Sequence, residues 1–371
     1  FQGVANIAGH NTDTGTYVAQ SGLRLIRCFA PLVTGGGSRD INGVAFSIYQ
    51  CWGAKVTALD IQRGRTKGPA TAPAEAESGS VGVLLDGGSS RCLVDGVIAS
   101  DVCVAVKVGG YDRICRYNTI TNVIGNGIAE VGIYVGHCSD YTEVANCQIE
   151  MFALGTWTIP TMGTGVYARG NHVNIHDNRI VSPAYAGIMY EMVNVANCQL
   201  NITKNTIIAN ADFTLLDYAI YVSLAKQTGV GFIQGFNISE NYAAGTSAIG
   251  IRVHAKYNKV KDGVLHNNQF GQLICSDDAL LIESETSSAE TDNIRVDGGT
   301  YYADNTYCIR VESDGTSSAD MTNVFVHNVA VKGTQSTAAL RFNNTVKCGV
   351  SRIDIQGSAV SPISVAASTY F

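Results

Sequence analysis

Two short apolar patterns alternate eleven times along the chain, always in the same order. The first is apolar–x–apolar–x, and it starts at Phe46, Val83, Val104, Ile133, Val166, Ile188, Ile220, Ile251, Leu280, Ile309 and Leu340. The second is apolar–x–x–x–x–apolar, often with Asn in the fourth place, and it starts at Val56, Leu93, Cys115, Val144, Ile175, Ile202, Ile238, Leu265, Val296, Val326 and Ile355. The first pattern has the two-residue period of a strand with one buried face, and we interpret the second as a strand that ends in a turn. Short strands that recur in a fixed order, about every 20–37 residues, are typical of a solenoid.

One elongated domain is predicted, because the repeat fills residues 41–365 of the 371-residue chain. Residues 4–40 are predicted to be an N-terminal lead-in or cap, and residues 366–371 a C-terminal tail. Residues 1–3 resemble the end of a protease-cleavable tag, so the native termini are expected to be missing. Hydrophobic residues make up 46% of the chain and charged residues 15%, which fits a long apolar core.

Composition excludes several classes of partner. The net charge is −6 and Lys and Arg are scattered, so no nucleic-acid ligand is expected, because phosphate contacts need clustered cations. No apolar run approaches the ~20 residues of a membrane span, so no membrane insertion is expected. The eleven cysteines contain no C-x-x-C pair, which favours buried free thiols over a disulfide framework or a zinc site. Neither a cofactor nor a metal is predicted.

A family resemblance emerges from the repeats themselves. Gly187-Ile188-Met189-Tyr190 followed by Ile202-Thr-Lys-Asn205-Thr-Ile207, and Gly250-Ile251-Arg252-Val253 followed by Leu265-His-Asn-Asn268-Gln-Phe270, resemble coils of right-handed parallel β-helix proteins. That pectin-lyase-like superfamily includes pectate lyases, polygalacturonases, alginate epimerases and bacteriophage tailspike depolymerases. The resemblance implies an all-β, right-handed parallel β-helix, here of about eleven rungs, in which we expect the recurring Asn residues to stack in a structural column.

The chain is most similar to a tailspike fragment. That resemblance implies a homotrimer on a phage tail, or a secreted protein, that binds and usually cleaves a bacterial capsule, O-antigen or exopolysaccharide. The sequence lacks the Asn-Thr-Asp and Gly-His-Gly signatures of polygalacturonases and the Arg motif of pectate lyases. No catalytic residue is therefore carried over from the family, and site residues must come from the repeat.

The outward face of the first pattern supplies the candidate binding residues. Strand alternation places its second and fourth positions outward. Exposed aromatic rings offer flat platforms for sugars, and Arg offers a planar fork for acidic groups. Two longer loops, residues 152–160 and 210–218, are predicted to flank the middle of this outward face, which we call the strip, as the walls of a groove. Trp157 in the first loop is either a platform for a sugar or an anchor for the loop. The predicted substrate-binding residues are Tyr134, Trp157, Tyr167, Arg169, Tyr221, Arg252 and His254.

Carboxyl groups on this face are the candidate catalysts, because glycoside hydrolysis needs two of them. Glu191 lies in the middle of the strip and is the first candidate, with Asp212 or Asp217 of the second loop as its partner. Glu283 and Glu312, which fall on successive rungs, form the alternative pair. The competing interpretation is that Glu and Arg on neighbouring rungs only form surface ion pairs, which contribute little.

Three functions remain open at the level of the sequence. The first is a glycoside hydrolase of the tailspike type. The second is a lyase or epimerase of uronate polymers, with His254 or Tyr221 as base and Arg169 or Arg252 neutralising the sugar carboxylate. The third is a non-catalytic carbohydrate-binding or adhesive rod.

Overall fold

The computed structural model describes residues 7–8, 20–39, 43–62, 80–109, 113–151, 163–192, 196–209, 216–224, 232–256, 259–285, 289–313 and 321–366. All regular secondary structure in these residues is β-strand. The chain divides into two compact units, Phe1–Tyr185 and Ala186–Phe371, which we call unit 1 and unit 2. In the part of the chain that the structure describes, no helix is long and apolar enough to cross a membrane.

In its described residues, unit 1 contains twenty strands. They are β1 Ile7–Ala8, β2 Gln20–Ile26, β3 Leu32–Thr34, β4 Gly37–Arg39, β5 Gly43–Tyr49, β6 Lys55–Thr57, β7 Asp60–Gln62, β8 Val81–Asp86, β9 Leu93–Asp95, β10 Ile98–Ser100, β11 Val104–Val108, β12 Cys115–Arg116, β13 Thr119–Thr121, β14 Ile124–Ile128, β15 Val131–Val135, β16 Ser139–Ala145, β17 Gln148–Met151, β18 Thr164–Ala168, β19 Asn171–His176 and β20 Arg179–Val181.

The part of unit 2 that the structure describes contains eighteen strands. They are β21 Ala186–Glu191, β22 Ala196–Cys198, β23 Leu200–Thr203, β24 Thr206–Ile208, β25 Leu216–Leu224, β26 Phe232–Gln234, β27 Asn237–Ser239, β28 Tyr242–Ala255, β29 Lys259–His266, β30 Gln269–Cys275, β31 Leu280–Ser284, β32 Glu290–Asp297, β33 Thr300–Ala303, β34 Tyr307–Ser313, β35 Met321–His327, β36 Ala330–Asn343, β37 Gly349–Ser351 and β38 Asp354–Ala366.

The strands of unit 1 form three parallel stacks, one for each side of a coil. The first stack pairs β2, β5, β8, β11, β15 and β18 in order. The second pairs β3, β6, β9, β13, β16 and β19, and the third pairs β4, β7, β10, β14, β17 and β20. The chain travels round all three sides before it returns to a stack, as parallel pairing requires. Each coil is therefore a turn of a parallel β-helix.

Unit 2 continues the same three-sided pattern with longer strands. Its first stack contains β21, β25, β31 and β34, together with the C-terminal halves of β28 and β36. The N-terminal halves of β28 and β36 belong to the third stack, with β24, β30 and β33. The second stack pairs β23, β27, β29, β32, β35 and β37. The predicted parallel β-helix fold is confirmed.

The core is formed by the inward positions of the first pattern, as the alternation predicts. Ile133 and Val135 in unit 1, and Ile251 and Val253 in unit 2, are fully buried. The Gly that often precedes the pattern lies within its strand, close to the backbone of the next coil. A Cβ on Gly250 would lie 2.3 Å from the carbonyl oxygen of Ala279 in the next coil, so only glycine lets the backbones approach this closely.

Four pattern starts are displaced from the observed register. In the second pattern, Val56 pairs with Val94 and not with Leu93. Val144 likewise pairs with Ile120 and not with Cys115.

The pattern start at Val104 is displaced by two residues, because Val106 pairs with both Val83 and Ile133. A slip of two preserves the in–out alternation, so the hydrophobic pattern does not reveal it. The last start of the second pattern, Ile355, lies in the third stack beside Val331.

Parallel pairing begins before residue 41. Strands β2, β3 and β4 pair with β5, β6 and β7 in the order of a complete coil. Part of the segment assigned to a lead-in or cap therefore has the same three-sided arrangement as the later coils.

An asparagine column runs inside unit 2, at the corners that follow the second-stack strands β23, β27 and β29. Nδ2 of Asn205 donates to Oδ1 of Asn241 at 3.0 Å, and Nδ2 of Asn241 donates to Oδ1 of Asn268 at 3.0 Å. All three side chains are buried, so the column joins successive coils and is structural. Asn118 departs from this scheme, because it lies before strand β13 and donates to the carbonyl of Ser89.

Candidate functional site

The outward ladders of unit 2 follow the predicted register. The second-position ladder is Met189, Tyr221, Arg252, Leu281, Arg310 and Arg341, and the fourth-position ladder is Glu191, Ser223, His254, Glu283, Glu312 and Asn343. Neighbouring strands lie ~4.8 Å apart. Side chains from consecutive coils are therefore close enough to form one continuous surface.

A groove with a volume of about 360 Å³ lies on this surface, entirely within unit 2. It is formed by residues of β25, β28, β31 and β34, and by the segment that precedes β31. Its lining residues are Asp217, Tyr218, Ala248, Ile249, Arg252, Asp277, Leu281, Glu283 and Arg310. A concave site of this size with a few convergent charged groups is the usual form of a small-ligand or substrate site.

Glu283 is the central carboxyl group of the groove. Nε of Arg252 donates to its Oε1 at 2.5 Å, and its side chain is 16% exposed. Burial raises the pKa of Glu283, while the Arg252 guanidinium opposes that shift. The outcome is a carboxyl group that stays reachable from the groove and holds a proton at higher pH than an exposed glutamate.

Arg252 and two tyrosines form the floor beside it. The rings of Tyr218 and Tyr221 stack with their centroids 4.6 Å apart, and the Arg252 guanidinium lies 5.6 Å and 5.4 Å from those centroids. NH1 of Arg252 also donates to the Tyr218 hydroxyl at 2.9 Å. These contacts fix the position of Arg252 and present the Tyr218 ring to the groove.

His254 lies buried behind Glu283. The hydroxyl of Tyr221 is 3.0 Å from Nδ1 of His254, and Nε2 of His254 is 3.5 Å from Glu283 and 2.7 Å from Glu285. Burial, helped by the Arg252 charge, lowers the pKa of His254 to about 4. Burial also raises the pKa of Tyr221 to about 12. Both groups are therefore neutral at neutral pH, and they support the site from behind.

The His254 environment predicts a pH-dependent loss of stability. The unfolded chain binds this proton near pH 6.5, whereas the folded protein binds it only near pH 4, so stability falls as the pH drops through that window. Between pH 7 and pH 5 we expect a loss of about 2 kcal/mol from this group. Denaturation of the protein and of His254→Gln at both pH values measures it. An identical pH dependence in the two proteins would contradict it.

A second carboxyl cluster surrounds Arg310. Its Nε and NH2 lie 2.9 Å and 2.6 Å from Oδ2 of Asp278, and NH1 lies 3.1 Å from Glu312. Asp277 is more distant, at 3.9 Å. Burial raises the pKa of Asp278 to about 7, although Arg310 opposes the shift. Arg310 is thus held by Asp278 and Glu312, and its positive charge offsets the negative charge of Glu312.

Asp217 brings a further carboxyl group to the groove from β25. Much of its surface is exposed, yet partial desolvation raises its pKa, and no neighbouring cation opposes that shift. The groove therefore contains two carboxyl groups with raised pKa values, Asp217 and Glu283. The sequence had assigned these two residues to different candidate pairs.

The predicted exposure of the aromatic ladder is wrong. Tyr134, Tyr167 and Tyr221 are only 7%, 4% and 9% exposed. In unit 1, Tyr134 and Tyr167 pack edge to face with centroids 5.4 Å apart, and Arg169 lies 5.9 Å above the Tyr167 ring. At the spacing of successive coils the rings cover one another. They stabilise the sheet and do not present free platforms.

The other predicted site residues fall in different places. Glu191 is half-buried at the end of β21, in register with Ser223, and the groove lining described above does not include it. Glu312 is 14% exposed and binds Arg310. Asp212 and Trp157 lie outside the described residues.

Sequence reasoning missed Tyr218 and Asp277 as groove residues. Tyr218 pairs in register with Ile249, two residues before the first pattern begins. Asp277 lies three residues before the pattern of the next coil. Alternation counted back from Ile220 would have placed Tyr218 inward, so the pattern does not identify it as a groove residue.

Comparison with known proteins supports the fold. No protein-family model and no curated protein sequence matches the chain. The tailspike protein of E. coli bacteriophage HK620, solved in complex with a pentasaccharide, aligns with a TM-score of 0.57 at 11% identity, over 91% of this chain and 66% of that chain. A variant of the same tailspike, also with pentasaccharide, gives 0.58 at 10% identity with the same coverage. The chain is a parallel β-helix protein. It spans just under two thirds of the length of these tailspike chains.

Proposed function

We propose that the protein is a polysaccharide-cleaving enzyme that hydrolyses glycosidic bonds in the groove of unit 2. The observation that carries this proposal is that Asp217 and Glu283, two carboxyl groups with pKa values raised by burial, line one groove. Glycoside hydrolysis uses such a pair, one group protonated and one ionised. The partly buried Tyr218 ring provides an apolar surface for the sugar.

The surroundings of the two carboxyl groups suggest their roles. Desolvation alone acts on Asp217, which favours its protonated form, so Asp217 is suited to protonate the leaving oxygen. Glu283 is bound by Arg252, which stabilises its carboxylate, so Glu283 is suited to act as base or nucleophile. The raised pKa of Glu283 makes its carboxylate a stronger base than that of an exposed glutamate.

Several contacts favour hydrolysis over uronate elimination. A lyase needs a free cation to neutralise the sugar carboxylate, but Arg252 is bound to Glu283. Of the two proposed bases, Tyr221 is weakened by a pKa of about 12, and His254 is only 3% exposed. Neither base is therefore well placed to reach a substrate.

The likeness to a tailspike supports a more specific role. We propose that the substrate is a bacterial capsule, O-antigen or exopolysaccharide, and that the protein acts as a homotrimer on a phage tail. A subunit interface would use apolar side chains on the outward face, and these are largely covered within the single chain. Leu281 is buried, Leu84 is half-buried and Phe325 is 38% exposed. The fold likeness carries this part of the proposal.

Incubation with a panel of bacterial surface polysaccharides tests the function. We expect one polymer to shift to smaller sizes on size-exclusion chromatography, with new reducing ends and no rise in near-ultraviolet absorbance. Unsaturated, ultraviolet-absorbing ends would instead identify a lyase. Binding without any change in polymer size would identify an adhesive protein.

A further inference from the structure

The groove is lined by more acidic than basic side chains. Three carboxyl groups line it, Asp217, Asp277 and Glu283, against two guanidinium groups, Arg252 and Arg310. Two more carboxyl groups, Asp278 and Glu312, contact Arg310. A sugar carboxylate that enters this groove would therefore meet more negative than positive charge.

Both arginines are already bound to protein carboxylates. Arg252 contacts Glu283 through two of its nitrogens and also donates to Tyr218. Arg310 contacts Asp278 through two nitrogens and Glu312 through the third. A sugar carboxylate would have to displace one of these partners and leave a largely buried carboxyl group without its cation, which is strongly unfavourable.

Asp277 lies at the edge of the groove and differs from the other acidic groups. Its side chain is 47% exposed, and its nearest cation, Arg310, is 3.9 Å away. Nδ2 of Asn305 donates to its Oδ1 at 3.2 Å. The Asp277 side chain therefore lies at the surface of the groove, where its charge interacts with an arriving ligand more strongly than with the protein core.

From these contacts we infer that the groove binds glycan segments without carboxylates, such as neutral hexoses or N-acetylated amino sugars, and that Asp277 repels acidic sugars. This inference rests on the proposed function and names its substrate class. The uncharged part of the lining suits such a ligand, because Ala248 and the Tyr218 ring, both only partly buried, can contact the C–H face of a neutral sugar. Rejection by unpaired like charge is a common source of specificity.

Matched polymers test the inference. Each neutral polysaccharide of the panel is compared with the same polymer after oxidation of its primary hydroxyl groups to carboxylates. Binding is measured with Asp217→Asn, so that cleavage does not consume the ligand while Glu283 and Arg252 stay paired, and turnover is measured with the unmodified protein. We expect binding to fall about 10- to 100-fold on oxidation, and the ratio to shrink as salt screens the repulsion.

A charge reversal at the edge of the groove identifies the residue responsible. Asp277→Lys is expected to reduce the preference for the neutral polymer about tenfold. Glu240→Lys is the matched control, because Glu240 is an exposed acidic residue of unit 2 whose ion pair, with Lys204 at 3.8 Å, is outside the groove. The control should leave the preference unchanged, and an equal effect of both substitutions would overturn the role of Asp277.

The outcomes separate this inference from the proposed function. Stronger binding of the oxidised polymer overturns the inference, and cleavage of that polymer with loss of activity in Glu283→Gln would leave the hydrolase proposal intact. Preferential binding of neutral polymer without cleavage supports the inference and overturns the hydrolase. Binding of neither form of any polymer overturns both.

Discussion

Replacement of Glu283 by glutamine is expected to lower polysaccharide turnover by about 10²–10⁴-fold, the usual contribution of one acid–base group. Glutamine keeps the side-chain oxygen that accepts the hydrogen bond from Nε of Arg252, so the groove should keep its shape. It removes the ability of the side chain to take up or release a proton. Turnover numbers, with a thermal melt to confirm folding, measure the effect.

Glu191→Gln is the matched control for this experiment. Glu191 belongs to the same outward ladder, but it lies three coils before Glu283 and is not part of the groove lining. We therefore expect near-normal turnover from this variant. The reverse result, a large loss for Glu191→Gln with normal activity for Glu283→Gln, would refute the site in the groove and support the first prediction made from the sequence.

Phe270→Ala is expected to cost about 3–5 kcal/mol of unfolding free energy, as large-to-small changes of buried aromatic residues do. Phe270 is fully buried in β30, and its ring lies 6.4 Å from that of Tyr301. It also packs against the backbone at Gly250, where an added Cβ would lie 3.0 Å from the ring. Removal of the ring opens a cavity directly beneath the strand that carries Arg252. Chemical denaturation measures the loss.

Phe325→Ala is the corresponding control on the surface. Phe325 lies in β35 of the same unit, is 38% exposed and packs mainly against His327. We expect a change within roughly 0.5 kcal/mol, because surface substitutions away from special features have small effects. Similar losses for both phenylalanines would contradict the burial pattern that defines the core.

The periodicity of the sequence was sufficient to predict the fold and the two outward ladders of unit 2. An inward residue at every second position is needed in each coil, since one face of each strand must be buried. The constraint repeats locally, so Ile251, Val253 and their equivalents could be assigned without any tertiary contact. The same regularity placed Glu283 and Glu312 on neighbouring strands, where the structure has them in register.

The candidate site was only partly predictable. Asp217 and Glu283 were both singled out from the sequence, but as members of different pairs. Tyr218 was missed because alternation counted back from Ile220 places it inward, whereas it lines the groove. Asp277 was missed because it lies before strand β31 begins. The slip of two residues at Val104 shows a similar limit. A strand shifted by two residues keeps the same side chains inward, so the hydrophobic pattern cannot tell the two registers apart.

The sequence by itself determined which residues face inward, the parallel coils that follow and the order of the outward ladders in unit 2. Only the tertiary structure decided which outward groups are exposed, paired or buried. The contact between Arg252 and Glu283 joins residues 31 positions apart, and the burial of Tyr221 depends on Tyr218, Arg252 and His254 from two successive coils. Such contacts depend on the spacing and packing of neighbouring coils, which the alternation within a single strand does not encode.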